Sequence, residues 1–423
     1  MTRWRLATMV TAAIGISYLD RQSLPVAVAA IQHDIPLSNT EFGALSSCFL
    51  LAYALMYAGG GALVDRLGTK RGFLLIMTFW SVACASQSLA IGFGMLAVSR
   101  FLLGAGEGGG FPAATKVIAE WFPVGERSTA MGLVNAGTAI GAVVAPPAIA
   151  FILTVSNWRA VFVACGLVGL LWSLWWARVM PAQPTGLPAV PKAPAGRADR
   201  GTRVSGESLP APLPWTSLLA FGQVRGLVFA KFLTDAAWYF YIAWLPKYLY
   251  DARGFNVQQV GYYAWVPFAA SGIGSLLGGW FSSHLIARGH SVNFSRKLAL
   301  GLSAVVMPAI IVVTRVPVEW AIALFSLAFF GQQSWSTLVM VLPTDLFDRD
   351  VVASIAGLVG FGGAMGGLLM NLLAGRLLDA GFGYQTIFSI VGLLHVAAFG
   401  VVLATIPQVT LLGRRPQLRA QPS

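Results

Sequence analysis

Six charged side chains lie inside apolar stretches that are long enough to cross a bilayer. A charge at the centre of a membrane helix costs about 2.5–3.5 kcal/mol on insertion scales, so such residues are rare and usually functional. Three are acids, three are bases, and they come in close pairs: Asp20 with Arg21, Arg100 with Glu107, and Lys231 with Asp235. This pattern predicts a buried polar cavity that handles a charged solute and a proton.

Glu107 is the best candidate for a proton carrier. Because Arg100 and Glu107 are seven residues apart, they share one face of a helix, about 10 Å apart along its axis. A low-dielectric site favours the neutral carboxylic acid, whereas a nearby arginine favours the carboxylate. A solute that displaces or screens the arginine would therefore couple its own binding to protonation. The alternative is a permanent Arg100–Glu107 salt bridge that only holds the fold.

Asp20 and Arg21 lie near the middle of the first apolar run. Adjacent residues on a helix point about 100° apart, so each is expected to reach a different partner. Arg21 offers a planar fork that binds a carboxylate through two hydrogen bonds. Asp20 is predicted to meet Arg100 or to act as a second proton site. A structural ion-pair network is the alternative.

Polar and aromatic residues in later runs are candidates for binding the body of the solute. Lys231 and Asp235 are one turn apart and could neutralise each other, although Lys231 could also snorkel to the membrane surface. Adjacent amides at mid-depth need hydrogen-bonding partners in lipid and would suit hydroxyl groups. The candidate contacts, with packing as the alternative for the aromatic ones, are Tyr53, Trp238, Gln332, Gln333 and Trp335. His395 is interpreted as a packing residue.

The glycines just before and after Glu107 have a different interpretation. Gly104, Gly106 and Gly109 match G-x-G-x-x-G, but no predicted strand precedes them, so a nucleotide-binding loop is excluded. We interpret them as residues that permit close helix packing.

Composition indicates an all-α membrane protein. The chain has 423 residues, of which 57% are hydrophobic and 10% are charged, against about 25% charged in soluble domains. Residues 181–214 are rich in Pro, Gly and Ala and predict a flexible cytoplasmic linker between a six-helix bundle at 1–180 and another at 215–423. Twelve spans are predicted, roughly at 6–29, 42–64, 72–90, 95–115, 128–152, 159–179, 226–249, 260–285, 298–314, 320–342, 351–377 and 385–406.

The two halves also look like repeats of each other. A shift of 225 residues aligns six identical residues of the first half with the second, at 122, 132, 133, 134, 137 and 141. Internal repeats are common in secondary transporters, which bind solute near the midplane between them.

The net charge of +12 does not indicate a nucleic-acid partner. Most of the basic residues fall in segments predicted to face the cytoplasm, which is the positive-inside bias, and anionic lipid suffices as their partner. The bias predicts that both termini are cytoplasmic. The three cysteines have no metal-ligand spacing, and no nucleophile–base set is visible, so neither a metal site nor an enzyme is expected.

A loop at residues 61–71, GALVDRLGTKR, carries the most specific motif. It resembles the G-x-L-x-D-R-x-G-x-[RK]-[RK] signature of the major facilitator superfamily, between the second and third helices of that fold. The decayed copy at 279–289 predicts that the first-half loop is the stronger conformational latch. The motif residues are Gly61, Asp65, Arg66, Gly68, Lys70 and Arg71.

Further motifs resemble the anion:cation symporter family of that superfamily, and within it the bacterial hexuronate transporters; galactonate transporters are also similar. They are Asp20-Arg21-Gln22, the 61–71 loop, Gly104–Glu107 with Pro112, Ala230–Asp235 and Trp244–Lys247. The resemblance implies twelve helices, with spans one, four, seven and ten lining a central cavity.

The resemblance also implies roles for individual residues. Asp20 and Glu107 match proton-coupling carboxylates, Arg21 and Tyr53 match substrate contacts, and Arg100 matches the partner of the acids. The chain departs from galactonate-type members in two places. Gly and Phe occupy residues 357–363, where an Asn is expected, and Thr138 stands where a Gln is expected.

These observations predict a proton-coupled symporter that imports an organic anion, most simply a sugar acid such as a hexuronate, across the bacterial inner membrane. Protons would be the coupling ion, no other cofactor is expected, and the protein would function as a monomer. The alternative is an antiporter that exchanges an organic phosphate or another carboxylate without protons. A transporter-like sensor is a third hypothesis, for which the linker is small.

Overall fold

The computed structural model describes residues 3–122, 124–180, 215–347 and 349–410, and within these ranges no residue forms a β-strand. The predicted linker at 181–214 lies outside the described residues, so its nature and the domain boundaries remain predictions. The α-helices are α1 (Arg3–Asp34), α2 (Asn39–Leu67), α3 (Thr69–Ser86), α4 (Phe93–Glu107), α5 (Gly110–Trp121), α6 (Val124–Val155), α7 (Trp158–Val179), α8 (Trp215–Leu218), α9 (Gly222–Arg253), α10 (Val257–Tyr263), α11 (Trp265–Ala287), α12 (Val292–Val305), α13 (Val318–Leu346), α14 (Arg349–Asp379) and α15 (Gly383–Thr405).

These helices account for all twelve predicted spans and confirm the fold class of two six-helix halves. Some spans are built from two pieces. Helices α4 and α5 form the fourth span, α10 and α11 the eighth, and α12 continues into a 3-10 helix at Met307–Arg315 to complete the ninth. A shorter 3-10 turn, Gln87–Leu89, ends the third span.

Six described spans are long and apolar enough to cross a bilayer by length and composition alone. The helices that carry the six buried charges, α1, α4 and α9, are not among them, nor is α13 with its amides. Polar side chains lower the hydropathy of α1, α9 and α13, and α4, with 15 residues, ends at Glu107 before it could cross. The six are Thr69–Leu89, Ala130–Val155, Trp158–Val179, Val292–Arg315, Ser354–Asp379 and Gly383–Thr405.

The predicted repeat is visible in how each half packs. A Cβ added at Gly137 would overlap the backbone of Thr11, and one at Gly141 would overlap Gly15, so α6 lies directly against α1. At the positions 225 residues later, Gly362 and Gly366, the backbone of α14 lies against α9 in the same way. The two halves therefore use the same pair of glycines to bring their first and fifth spans together.

One end of the bundle holds the two halves together, and it is called here the Asn39 end. The carboxylate of Asp379, at the end of α14, accepts hydrogen bonds from the backbone N–H groups of Asn39 (3.0 Å) and Thr40 (2.7 Å). The side-chain amide of Asn39 donates another (2.9 Å). Gly375 permits this approach, because a Cβ there would overlap the carbonyl oxygen of Asn39. The first turn of α2 is thus capped by an acid from the other half.

Further contacts between the halves lie near the same end. The Ser47 hydroxyl donates to the carbonyl of Leu368 (2.9 Å), and the Tyr250 hydroxyl donates to the carbonyl of Val26 (2.8 Å). These bonds close the Asn39 end of the space between the halves.

Asp34 forms a separate cluster at this end, inside the first half. It accepts hydrogen bonds from Trp158 Nε1 (2.9 Å) and Arg159 Nη1 (2.7 Å). These bonds, with a smaller contribution from His33, lower the pKa of Asp34 to about 2. The folded state therefore gains stability from this group above the usual carboxyl pKa and loses it as pH falls towards 2.

Candidate functional site

Glu107 sits where the fourth span is interrupted. Helix α4 ends at Glu107, a turn occupies Gly108 and Gly109, and α5 begins at Gly110. The glycines before the break bring the backbone close to its neighbours, since a Cβ at Gly104 would overlap Phe49 and one at Gly106 would overlap Trp80. Their interpretation as packing residues is confirmed. The break places a carboxyl group where helix ends and irregular backbone can line a polar site inside a membrane protein.

Arg21 and Glu107 form a buried ion pair. Arg21 Nε donates to Glu107 Oε2 at 2.6 Å, and the two side chains are 9% and 0% exposed. The alternative of a permanent Arg100–Glu107 bridge is wrong for this structure. Nε and Nη1 of Arg100 have no hydrogen-bond partner among the described residues, and its guanidinium lies 5.0 Å from the centre of the Phe49 ring. The spacing of seven residues places Arg100 and Glu107 on the same face of one helix. Arg21 on α1, however, lies closer to the Glu107 carboxylate.

Aromatic rings surround the Arg21 guanidinium. Its central carbon lies 4.6 Å from the ring of Tyr53, 4.7 Å from that of Tyr18 and 5.4 Å from that of Phe49. A cation held over ring faces is stabilised by the ring quadrupole, more strongly where water is excluded. Only Tyr53 of these three was predicted. Tyr18 and Phe49 lie three and four residues before Arg21 and Tyr53 on their helices, and that spacing is the signal that could have found them.

Asp20 is fully buried, and neither carboxylate oxygen has a hydrogen-bond partner among the described residues. The weakly donating thiol of Cys84 is a neighbour, and Glu107 and Arg100 are within electrostatic range. No hydrogen bond to Arg100 forms, so the predicted pairing of Asp20 with Arg100 is not made here. Burying an unpaired carboxylate costs far more free energy than burying the neutral, protonated acid. That difference keeps Asp20 a candidate proton site.

The second half contributes its own ion pair. Lys231 Nζ donates to Asp235 Oδ1 (2.8 Å) and to the hydroxyl of Ser336 (2.7 Å). Gln332 Nε2 donates to the same carboxylate oxygen at 3.4 Å. Both charged side chains are 9% exposed, so the alternative of a snorkelling Lys231 is wrong and the predicted neutralisation by Asp235 is confirmed.

The two ion pairs face one interior region. Tyr239 on α9 is within electrostatic range of Arg21 and Tyr53 from the first half and of Asp235 from the second. Tyr18 is likewise within range of Asp235. The arrangement therefore brings an arginine–glutamate pair and a lysine–aspartate pair towards each other between the halves. The sequence places Tyr239 on the same helix face as Asp235 and Trp238, where an aromatic ring with a polar edge suits a sugar-like body or packing; its contact with a solute stays a prediction.

Three other predicted contacts, Trp238, Trp335 and Gln333, have different neighbours. The Trp238 ring is edge-on to Phe329 at 5.3 Å. Trp335 is fully buried, edge-on to His395 at 5.8 Å, in a cluster with α15. Gln333 is half-buried and has no described bond to Gln332 or Lys231, because adjacent residues on α13 point to different neighbours. Their role in binding remains a prediction.

One departure from the galactonate-type pattern has a physical reason. A Cβ added at Gly363 would overlap the Oδ2 atom of Asp235. A larger residue at this place would therefore displace the carboxylate that holds Lys231. The other departure, Thr138, is bonded to the carbonyl of Asn135 on its own helix.

The motif loop is described in part. Gly68 has φ +76° and joins α2 to α3, a backbone conformation that favours glycine, and Gly289 (φ +90°) lies in the connection between α11 and α12 of the second half. Arg66 and Arg71 are exposed and Lys70 is half-buried. Gly61 and the Asp65 side chain lie outside the described residues, so the role of this loop as a conformational latch remains a prediction.

Comparison with known proteins identifies the family. The sequence profile described as Major Facilitator Superfamily matches residues 10–370. The chain belongs to the major facilitator superfamily. It is therefore a multi-pass membrane protein of a transporter class, not an enzyme.

Similar proteins support this assignment. A hexuronate transporter of Escherichia coli (strain K12) is 29% identical over 398 residues, which cover 92% of this chain and 90% of that protein. A hexuronate transporter of Bacillus subtilis (strain 168) is 30% identical over 396 residues and covers 90% of each chain. Among solved structures, a bacterial homolog of the human lysosomal transporter Spinster, inward-facing and unoccupied, gives a TM-score of 0.72 at 18% identity, covering 96% of this chain and 95% of that one. This last likeness supports the fold alone.

Proposed function

We propose that this protein is a proton-coupled symporter that imports a sugar acid, most simply a hexuronate such as glucuronate or galacturonate. The buried Arg21–Glu107 ion pair carries the proposal. In this pair, a solute carboxylate can compete for a cation that an acid of the protein already holds. The names of the similar hexuronate transporters support the class of solute.

The coupling follows from competition for one guanidinium. When the solute carboxylate takes the fork of Arg21, Glu107 loses its cation in a dry environment, and the neutral acid becomes the favoured form. Glu107 then takes up a proton. Solute and proton occupy the site together, since each makes the other's binding more favourable.

Other residues complete the site in this proposal. Nε and Nη1 of Arg100, for which no described residue provides an acceptor, offer the carboxylate a second contact, and Asp20 is a second proton site. Tyr53, Trp238, Gln332, Gln333 and Trp335 would contact the hydroxyl-bearing body, together with Lys231. The first half would bind one side of the solute and the second half the other side, as expected for a site between two repeats.

Alternating access would come from rocking of the halves about this site. The positive-inside bias predicts that both termini lie in the cytoplasm of a bacterial cell, which would make the Asn39 end the periplasmic one. With that end closed, the solute leaves towards the cytoplasm. The 61–71 loop would hold the opposite end in the other state. The protein would work as a monomer.

Replacing Glu107 by Gln tests the coupling. Gln keeps the shape but cannot carry a proton, so the variant should lose accumulation of labelled galacturonate driven by a pH gradient in proteoliposomes. It should still exchange labelled for unlabelled solute without a gradient. The matched control is Glu319→Gln, because Glu319 is exposed at the start of α13. Accumulation by the Glu107 variant at the wild-type level would show that coupling lies elsewhere.

An anion antiporter without proton coupling is the second candidate. The observation that favours it is a second arginine, Arg100, with donors that have no partner beside the Arg21 site, since two arginines suit a phosphate group. In that case a protonophore would leave exchange of an organic phosphate unchanged, and the vesicles would not take up galacturonate.

A further inference from the structure

A chain of hydrogen bonds extends from the second ion pair to the last span. It links Lys231 and Asp235 on α9, Gln332 on α13 and His395 on α15. His395 is fully buried, and its Nε2 atom bonds to the Oε1 atom of Gln332. The established fold does not require a polar group at this depth, where a histidine is costly unless it is bonded.

The direction of each bond follows from the chemistry of its groups. A carboxylate accepts only, so the Gln332 amide must turn its NH₂ group towards Asp235, and its oxygen then faces His395. An amide oxygen has no proton, so Nε2 of His395 must donate. In the opposite amide orientation the oxygen of Gln332 would meet the carboxylate of Asp235, and the two would repel.

The carboxylate of Asp235 is held on several sides as a result. Its Oδ1 atom accepts from Lys231 and Gln332. Its Oδ2 atom lies against the backbone at Gly363, where no side chain would fit. The Lys231 ammonium is held in turn by Asp235 and Ser336. An ammonium donor and a carboxylate acceptor are thereby fixed side by side.

This pair is placed to contact a solute held by Arg21. Lys231 and Asp235 each keep 9% exposure of the side chain. Asp235 is within electrostatic range of Tyr18 and Tyr239, which are themselves within range of Arg21. A sugar hydroxyl both donates and accepts, so one hydroxyl can donate to Asp235 and accept from Lys231 at the same time.

We propose that His395 is a positioning residue that fixes the Gln332 amide, and through it the Lys231–Asp235 pair, so that this pair reads the configuration of a hydroxyl on the sugar acid. The inference rests on the proposed function, and it assigns the second half the task of distinguishing sugar acids. His395 acts through Gln332 and does not touch the solute. Without the histidine the amide oxygen has no donor, so the Gln332 side chain is free to rotate away and the carboxylate loses one of its donors.

The test is competition between glucuronate and galacturonate, which differ in configuration at one hydroxyl-bearing carbon. Inhibition constants of both against uptake of labelled galacturonate are measured in proteoliposomes. Wild type should distinguish the two, and His395→Leu should reduce the ratio of the inhibition constants by about three- to tenfold, the worth of one hydrogen bond. Accumulation driven by a pH gradient should persist in that variant, because Arg21 and Glu107 are unchanged.

A conservative variant separates positioning from simple packing. His395→Gln places an N–H donor near the position of Nε2, so it should restore the wild-type ratio, whereas a packing role would be served as well by Leu. If His395→Leu does not fold, His395→Phe keeps a planar ring without an N–H donor and should give the same reduced ratio.

Several results would overturn the inference. They are a wild-type ratio near one, an unchanged ratio in His395→Leu, and a ratio that Gln fails to restore. In all three cases sugar-acid uptake itself would still support the proposed function. A wild-type protein that takes up neither acid would overturn both.

Discussion

At the residue scale, one guanidinium has two kinds of neighbour. Arg21 is bonded to Glu107 through Nε and surrounded by the rings of Tyr18, Phe49 and Tyr53. The rings keep water away and strengthen the ion pair, because charges attract more strongly where the dielectric is low. They also fix the plane of the fork. The site therefore holds a cation that an anionic solute can take from Glu107.

Replacing Arg21 by Lys keeps the charge and removes the planar fork. We expect KM for galacturonate uptake to rise about ten- to a hundredfold, the worth of a hydrogen bond to a charged group, because an ammonium cannot bind a carboxylate through two parallel bonds. Uptake kinetics in proteoliposomes measure the change. Arg159→Lys is the control, since Arg159 pairs with Asp34 at the Asn39 end. An unchanged KM in Arg21→Lys would mean that Arg21 does not contact the solute.

The sequence predicted the charged members of the site better than their partners. Asp20, Arg21 and Glu107 stand out because a charge inside an apolar run is costly, so its type alone is a signal. The partner of Glu107 was ambiguous, because spacing ranks pairs within one helix and cannot rank pairs between helices. Tyr18 and Phe49 carried almost no signal, since the chain has 10 Tyr and 26 Phe.

At the element scale, the Asn39 end depends on a helix terminus. The first N–H groups of a helix have no partner inside the helix, and its N-terminus carries a partial positive charge. In α2 two of these groups are satisfied by Asp379, which belongs to the other half. Opening this end must break those bonds. The closed state is therefore favoured by a contact that the open state lacks.

Replacing Asp379 by Ala should shift the protein towards a state that is open at the Asn39 end. Loss of a helix cap costs about 1 kcal/mol, which is a factor of about five in the ratio of the two states. A cysteine in place of Ser47, in a background without Cys48, Cys84 and Cys165, reports the opening as faster labelling by a membrane-impermeant maleimide.

The control for this variant is Asp34→Ala. Asp34 lies at the same end, but its bonds to Trp158 and Arg159 stay inside the first half. Its loss should leave the labelling rate unchanged. Equal labelling of wild type and Asp379→Ala would show that the cap does not control the opening.

Among the helices, type and number were predictable and interruptions were not. Twelve apolar runs of about 20 residues predict twelve spans, because length and hydropathy suffice for that. The break after Glu107 lies in an apolar run whose length and hydropathy predict one continuous span. The 3-10 helix at Met307–Arg315 carries Pro308 in its first turn, a signal that hydropathy alone does not use.

At the scale of the whole molecule, the same glycine packing contact is found inside each of the two halves. The glycines at 141 and 366 are 225 residues apart, and each brings the fifth span of its half against the first. The repeat predicted from six identities thus corresponds to a shared packing contact. Phe122 and Phe347 also end their helices in the same extended conformation.

Alanine substitutions of these glycines test the symmetry. Gly141→Ala and Gly366→Ala should each destabilise the purified protein by about 1–3 kcal/mol, because the new methyl group meets backbone that cannot move aside. Thermal unfolding in detergent measures the loss. The matched controls, Gly132→Ala and Gly357→Ala, have nothing within 4 Å of an added Cβ. They should be neutral or slightly stabilising, because alanine favours a helix. Equal stability of all four variants would contradict the shared contact.

In the proposed mechanism, an anion arrives at Arg21 and Glu107 takes up a proton in one coupled event. The direct measurement is the number of protons that purified protein takes up from weakly buffered solution when galacturonate binds without any gradient. We predict net uptake of protons by wild type and a smaller uptake by Glu107→Gln at saturating solute. Binding of galacturonate to wild type without proton uptake would contradict the account.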